Sequence, residues 1–218
     1  DEMHDALAYV GAEAAAPREK LQPEEDSTPW EYGMGRIDEK TGRVDFKPFH
    51  YFAEQKWQPG SIEPLPALGS VNLSAKGGAP PDDSSYSVVR RWTSPVAGVV
   101  EIGGTVAHKL PKESWGDGVR ARIFDSRTGK LAEQSVKNGK AEMSAKEIRV
   151  EPGDTIDFAV DCVANAENDD FTWTPVVKLG DKAWDAAKGF RGSAPIALSV
   201  WEKYAQVLLE TNEFAFVD

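Results

Sequence analysis

Alternation of apolar and polar residues is the strongest signal along the chain. Ile156, Phe158, Val160 and Cys162 recur at every second position, with Thr155, Asp157, Ala159 and Asp161 between them. Successive side chains of a strand point to opposite faces, so this period predicts a strand with one buried and one solvated side. Val119, Ala121 and Ile123 share a face opposite Arg120, Arg122 and Phe124, and Ser126-Arg127-Thr128-Gly129 predicts a turn into a strand over residues 131–136. Residues 86–93 alternate up to Pro95, and Val96-Ala97-Gly98 predicts a hairpin into residues 99–102. Asn138-Gly139 signals another hairpin, because both residues accept the positive φ of a tight primed turn. Ile148 and Val150 lead through Glu151-Pro152-Gly153-Asp154 into the strand at 156. Residues 171–177 predict a further strand, in which Pro175, lacking an N–H, demands an edge or a bulge. Roughly seven strands between residues 86 and 178 fit a mainly β fold, an antiparallel β-sandwich of jelly-roll-like type.

The ends of the chain read differently. Residues 5–16 are alanine-rich and predict a helix up to Pro17, and residues 17–29 are charged, proline-containing linker. Trp201, Tyr204, Ala205, Leu208 and Leu209 recur at helical spacing, with Asn212 as a stop. Trp30, Tyr32, Phe46, Phe49, Tyr51, Phe52 and Trp57 crowd a stretch rich in turn residues, which predicts an irregular segment wrapped over the β core. The expected division is therefore an N-terminal helix and linker over 1–29, a sandwich module with its aromatic wrap over 30–180, and a C-terminal helix and tail over 181–218.

Composition removes several classes of function. The chain has 25 lysines and arginines against 36 acidic residues, a formal charge of −11, and no basic run longer than Arg90-Arg91. Such a surface offers no footprint for nucleic acid or an anionic membrane. No stretch approaches the roughly 20 apolar residues of a membrane helix. Cys162 is the only cysteine, which excludes an internal disulfide, a CxxC knuckle and a haem-attachment CxxCH, and its apolar phase predicts a buried, inert thiol.

Candidate chemistry lies in the loops. Ser114-Trp115-Gly116-Asp117 and Glu167-Asn168-Asp169-Asp170 pair two acidic loops, and Asp117, Glu167, Asp169 and Asp170 could supply the oxygen ligands of calcium. The bland alternative is a solvated acidic surface. Trp115 sits in a long loop between Lys112 and Asp117, with no periodicity assigning it to a core. It is either a platform for a sugar ring, with Lys112, Asp117, Arg120 and Asn168 beside it to bond hydroxyls, or a side chain packed over the sandwich edge. Trp92 and Trp173 fall in strand phase and are expected in the core. Asp157 and Asp161 share a strand face where solvation is the expected state, and one of Arg90 and Arg91 is expected to pair with a carboxylate on a neighbouring strand. His4, His50 and His108 have no metal-ligand spacing, and no GxSxG, P-loop or HExxH occurs, so no catalytic set can be named.

The terminal run from Trp201-Glu202-Lys203-Tyr204 to Phe214-Ala215-Phe216-Val217-Asp218 resembles the ending of large planctomycete proteins of unknown function that carry a planctomycete-type cytochrome c domain. Val89-Arg90-Arg91-Trp92-Thr93-Ser94-Pro95, Gly116-Asp117-Gly118-Val119-Arg120, Val150-Glu151-Pro152-Gly153-Asp154-Thr155-Ile156-Asp157-Phe158 and Phe171-Thr172-Trp173 are similar to a β module near the end of such proteins. The resemblance covers roughly residues 30–218. It implies export to the periplasm or cell surface and a larger parent with haem domains elsewhere, but supplies no reaction and no haem ligand in this chain. The expectation is a non-catalytic module binding polysaccharide. The alternative is a structural module docking on other domains of the parent.

Overall fold

The computed structural model describes residues 28–61, 64–110 and 115–192. In chain order the strands are β1 (Trp30–Asp38), β2 (Arg43–Pro48), β3 (Tyr51–Ala53), β4 (Lys56–Gln58), β5 (Asn72–Ser74), β6 (Gly77–Ala79), β7 (Tyr86–Thr93) and β8 (Gly98–His108). They continue with β9 (Val119–Asp125), β10 (Gly129–Val136), β11 (Gly139–Val150), β12 (Thr155–Cys162), β13 (Phe171–Trp173), β14 (Val176–Leu179) and β15 (Lys182–Asp185). A six-stranded sheet has the order β10-β9-β12-β7-β1-β2. The remaining nine strands form the second sheet around β8, which pairs along its length with β11 on one side and with β13 and then β14 on the other. Every pairing is antiparallel.

The alternating positions make the core between the sheets. Val88 and Trp92 of β7, Val119, Ala121 and Ile123 of β9, and Ile156, Phe158 and Val160 of β12 join Val100, Ile102 and Val106 of β8, Val150 of β11 and Trp173 of β13 in one buried cluster. Trp92 and Trp173 are buried as their phase requires. Arg90 shares the inward phase of β7, and its guanidinium donates to the carbonyls of Trp173 (2.6 Å), Ser74 (2.7 Å) and Gly77 (2.8 Å). Burial pulls it down to about 10, so it stays charged at neutral pH and ties the two sheets together through backbone oxygens.

Several sequence expectations are corrected. Residues 96–98 do not close a hairpin: both edges of β7 are occupied by β1 and β12, so the chain crosses to the other sheet to begin β8. Asn138 takes the positive φ expected of it, 43°, but the turn again changes sheets, because β11 pairs with β8 rather than with β10. Residues 171–177 split into β13 and β14 around Thr174-Pro175, and both halves lie along β8, so the proline marks an interruption and not an outer edge. The aromatic segment is strand rather than irregular wrap: it forms β1 to β4, with Trp30, Tyr32 and Phe49 buried and Trp57 stacked over Tyr32. The second sheet continues past residue 180, since β15 pairs with β14, and Ala186 is fully buried. No helix occurs among the described residues; the helices expected over 5–16 and from 201 lie outside them.

The largest correction concerns the outer face of the six-stranded sheet. Asp157 and Asp161 are buried, not solvated. Ile37, Val44 and Phe46 of the β1–β2 hairpin pack on Val89, Phe124 and Ala159 and cover part of that face. Beneath this cover Arg91 makes a bidentate pair with Asp157 at 2.7 Å. Asp161 accepts from Arg120, Arg122 and Ser87, and Arg122 also reaches Glu39. Burial raises both aspartates, and their arginines pull them back.

Candidate functional site

Strand register brings two distant loops together. Cys162 at the end of β12 is opposite Val119 at the start of β9, while His108 at the end of β8 is opposite Phe171 at the start of β13 and Gly139 at the start of β11. The loops after β8 and after β12 therefore leave the same end of the sandwich, beside the Asn138 turn. Polar bonds fasten them there. Asn168, at φ 60°, donates its side-chain amide to the Trp115 carbonyl at 2.8 Å. The Val163 N–H donates to the Gly118 carbonyl, and Asn165 Nδ2 to Asp117 Oδ2 at 3.5 Å. Gly118 holds φ 95°, and its N–H donates to Asp169 Oδ1 at 3.1 Å.

His108 is the hub that the sequence did not announce. Its Nδ1 accepts the Asn138 N–H at 3.0 Å, which places the ring proton on Nε2, and Nε2 lies 2.9 Å from the Asn168 carbonyl oxygen and 3.3 Å from Asp169 Oδ1. One fully buried imidazole thus joins three loops. Its only sequence signal was its phase, in step with Val100, Ile102 and Val106.

On this framework the Trp115 side chain is 64% exposed, so the edge-packing alternative does not hold. Around it the expected partners separate. Asp117 and Asn168 share its loop cluster. Arg120 is committed to Asp161 at 3.0 Å on the outer sheet face, and Lys112 lies outside the described residues. Glu167 and Asp170 are exposed, whereas Asp169 is buried. The loop over 165–170 also forms one wall of a cleft of about 750 Å³, opposite residues 64–70, with Asp82 in its lining.

The two inner carboxyls are in an unusual state. Burial pushes Asp169 up to about 6; the Gly118 N–H opposes the rise, and Asp117, within side-chain hydrogen-bonding reach, adds to it. Asp117 Oδ1 and Asp169 Oδ2 are buried with no hydrogen-bond partner. Of the four expected calcium ligands, then, two converge and two face solvent, and no group of three or more His, Cys, Asp and Glu suited to a metal occurs among the described residues. Beneath the pair, burial and then Asp161, Asp169 and Asp117 push the Cys162 thiol up to about 11, which keeps it protonated and unreactive.

No family model matches the chain, and no curated protein does. Solved structures that resemble it include the PA14 sugar-binding domain from an RTX adhesin, at TM-score 0.31 and 10% identity, covering 46% of this chain and 51% of that one. The CBM51-2 and INT domains from Clostridium perfringens ZmpB give TM-score 0.32 and 13% identity over 65% of this chain and 24% of that one. The Podospora anserina GH26-CBM35 β-(1,4)-mannanase gives 0.27 and 11% over 66% and 28%. The chain spans about half the length of the first and about a quarter of the other two. TM-scores this low leave the binding chemistry to be read from the site itself.

Proposed function

We propose that the chain is a non-catalytic carbohydrate-binding module whose contact surface is the loop end built on His108, with Trp115 as the platform for a sugar ring. The exposed indole carries this reading. The exposed indole offers an apolar face to solvent, and the C–H face of a pyranose is a matching partner, with Asn168, Glu167 and Asp170 on the next loop to bond hydroxyls. The Trp115 carbonyl accepts from Asn168, a bond that lowers the cost of ordering the backbone at this point on binding. Among the described residues the carboxyls that converge at this loop end, Asp117 and Asp169, lie within hydrogen-bonding reach of one another, closer than the gap of about 5 Å or more that a glycosidase pair keeps.

Retention in native gels cast with a panel of soluble polysaccharides tests this. The 218-residue chain is expected to be retarded by at least one, Trp115→Ala to run as in a blank gel, and no reducing sugar to be released. Equal mobility of wild type and variant in every gel contradicts the proposal.

From the resemblance of the terminal run, the proposal extends to a setting at the cell surface or in the periplasm, within a larger parent. The docking alternative relied on the aromatic segment and the terminal helix together; the segment forms β1 to β4, with Trp30, Tyr32 and Phe49 buried, and the helix lies outside the described residues.

A further inference from the structure

The pairing of Asp117 with Asp169 cannot be a plain contact between carboxylates. Each ionised group is an acceptor only, each has a buried oxygen with no donor, and the two lie within hydrogen-bonding reach of one another. Two adjacent buried negative charges repel strongly, and the orphaned oxygens add a desolvation cost, so something positive belongs between them. Among the described residues the neighbours do not supply it. His108 spends its Nε2 proton on Asn168 and on the far oxygen of Asp169, the Gly118 N–H goes to that same oxygen, and Asn165 offers one long bond to the other oxygen of Asp117.

We propose that Asp117 and Asp169 hold a divalent cation, calcium by its preference for oxygen, which ties the loop after β8 to the loop after β12. Two carboxylates from different loops give an anionic seat, and calcium accepts backbone carbonyls and water for the rest of its six to eight ligands. The Glu167 carbonyl is nearby: a Cβ placed on Gly116 would stand 3.0 Å from it and 3.4 Å from Asp169 Oδ1. The cation completes the fastening that Asn168 begins and lies beneath the proposed sugar surface instead of within it. The inference is therefore independent of what Trp115 binds.

Thermal unfolding with and without calcium, after treatment with EGTA, tests it alongside calorimetric titration with calcium chloride. Wild type is expected to bind calcium and to gain roughly 5 °C or more in Tm at a hundred-fold excess over Kd. Asp117→Asn and Asp169→Asn remove a charge from a repelling pair, so both should fold and both should lose the gain. Asp170→Asn, at an exposed carboxylate, should keep it, and so should Trp115→Ala, which separates this site from the sugar platform. No calcium heat and no Tm shift in wild type would overturn the proposal and leave a shared proton as the link between the carboxyls. A gain that survives in both Asp117→Asn and Asp169→Asn would overturn the assignment equally.

Discussion

Asp161 shows at the scale of one side chain how charge is spent in this fold. It accepts from Arg120, Arg122 and Ser87 on a sheet face partly covered by the β1–β2 hairpin. Removing Asp161 leaves the buried Arg122 with the exposed Glu39 alone, and a buried guanidinium stripped of its buried carboxylate costs far more than the net worth of the pair. Asp161→Ala is expected to lower stability by about 3–5 kcal/mol, read from the midpoint of urea unfolding; a loss under about 1 kcal/mol would mean water reaches this face. The sequence contained the ingredients of this network, since Asp157 and Asp161 repeat on one strand and Arg120 and Arg122 on another. What it lacked was the cover: nothing in the alternation of residues 155–162 tells that a hairpin more than 100 positions earlier folds over the polar phase. The pairing expected for one of Arg90 and Arg91 was legible, and falls to Arg91. Arg90 was not, because its partners are backbone carbonyls, which leave no trace in composition.

Among the elements, burial separates the strands. In β12 nearly every residue on both faces is buried, whereas in β10, at the edge, half the residues are exposed and only Val136 is buried. Amide hydrogen exchange is expected to be slowest in β7 and β12 and fastest in β10 and β15; protection in β10 equal to that in β12 would contradict the observed sheet order. The loop after β8 depends on Gly118, whose φ of 95° suits glycine and where a Cβ would meet the Val136 carbonyl oxygen at 2.5 Å. Gly118→Ala is expected to cost about 1–3 kcal/mol and to weaken polysaccharide retention, since Gly118 holds Asp169, next to the Asn168 that bonds the Trp115 carbonyl; Tm and gel mobility measured together check both. Strand positions were readable from alternation, but strand partners were not. The tight-turn signals at 96–98 and 138–139 are real as turns, yet both carry the chain from one sheet to the other, a choice set by which edges other strands already occupy.

At the scale of the molecule, two antiparallel sheets sandwich a core of aromatic and branched side chains and present, at one end, a pinned loop pair carrying an exposed indole. The sequence marked Trp115 as a residue without a phase but could not place its ring; register did, by setting the ends of β8, β9, β12 and β13 side by side. The central claim is that this ring is the sugar contact. Its most direct measurement is the set of indole N–H signals of the seven tryptophans in a two-dimensional nuclear magnetic resonance spectrum, with the Trp115 signal identified by its absence in Trp115→Ala, during titration with a saccharide that retards the chain. The Trp115 signal should shift progressively to saturation while those of the buried Trp92 and Trp173 stay in place. A saccharide that binds and leaves the Trp115 signal unmoved would contradict the account.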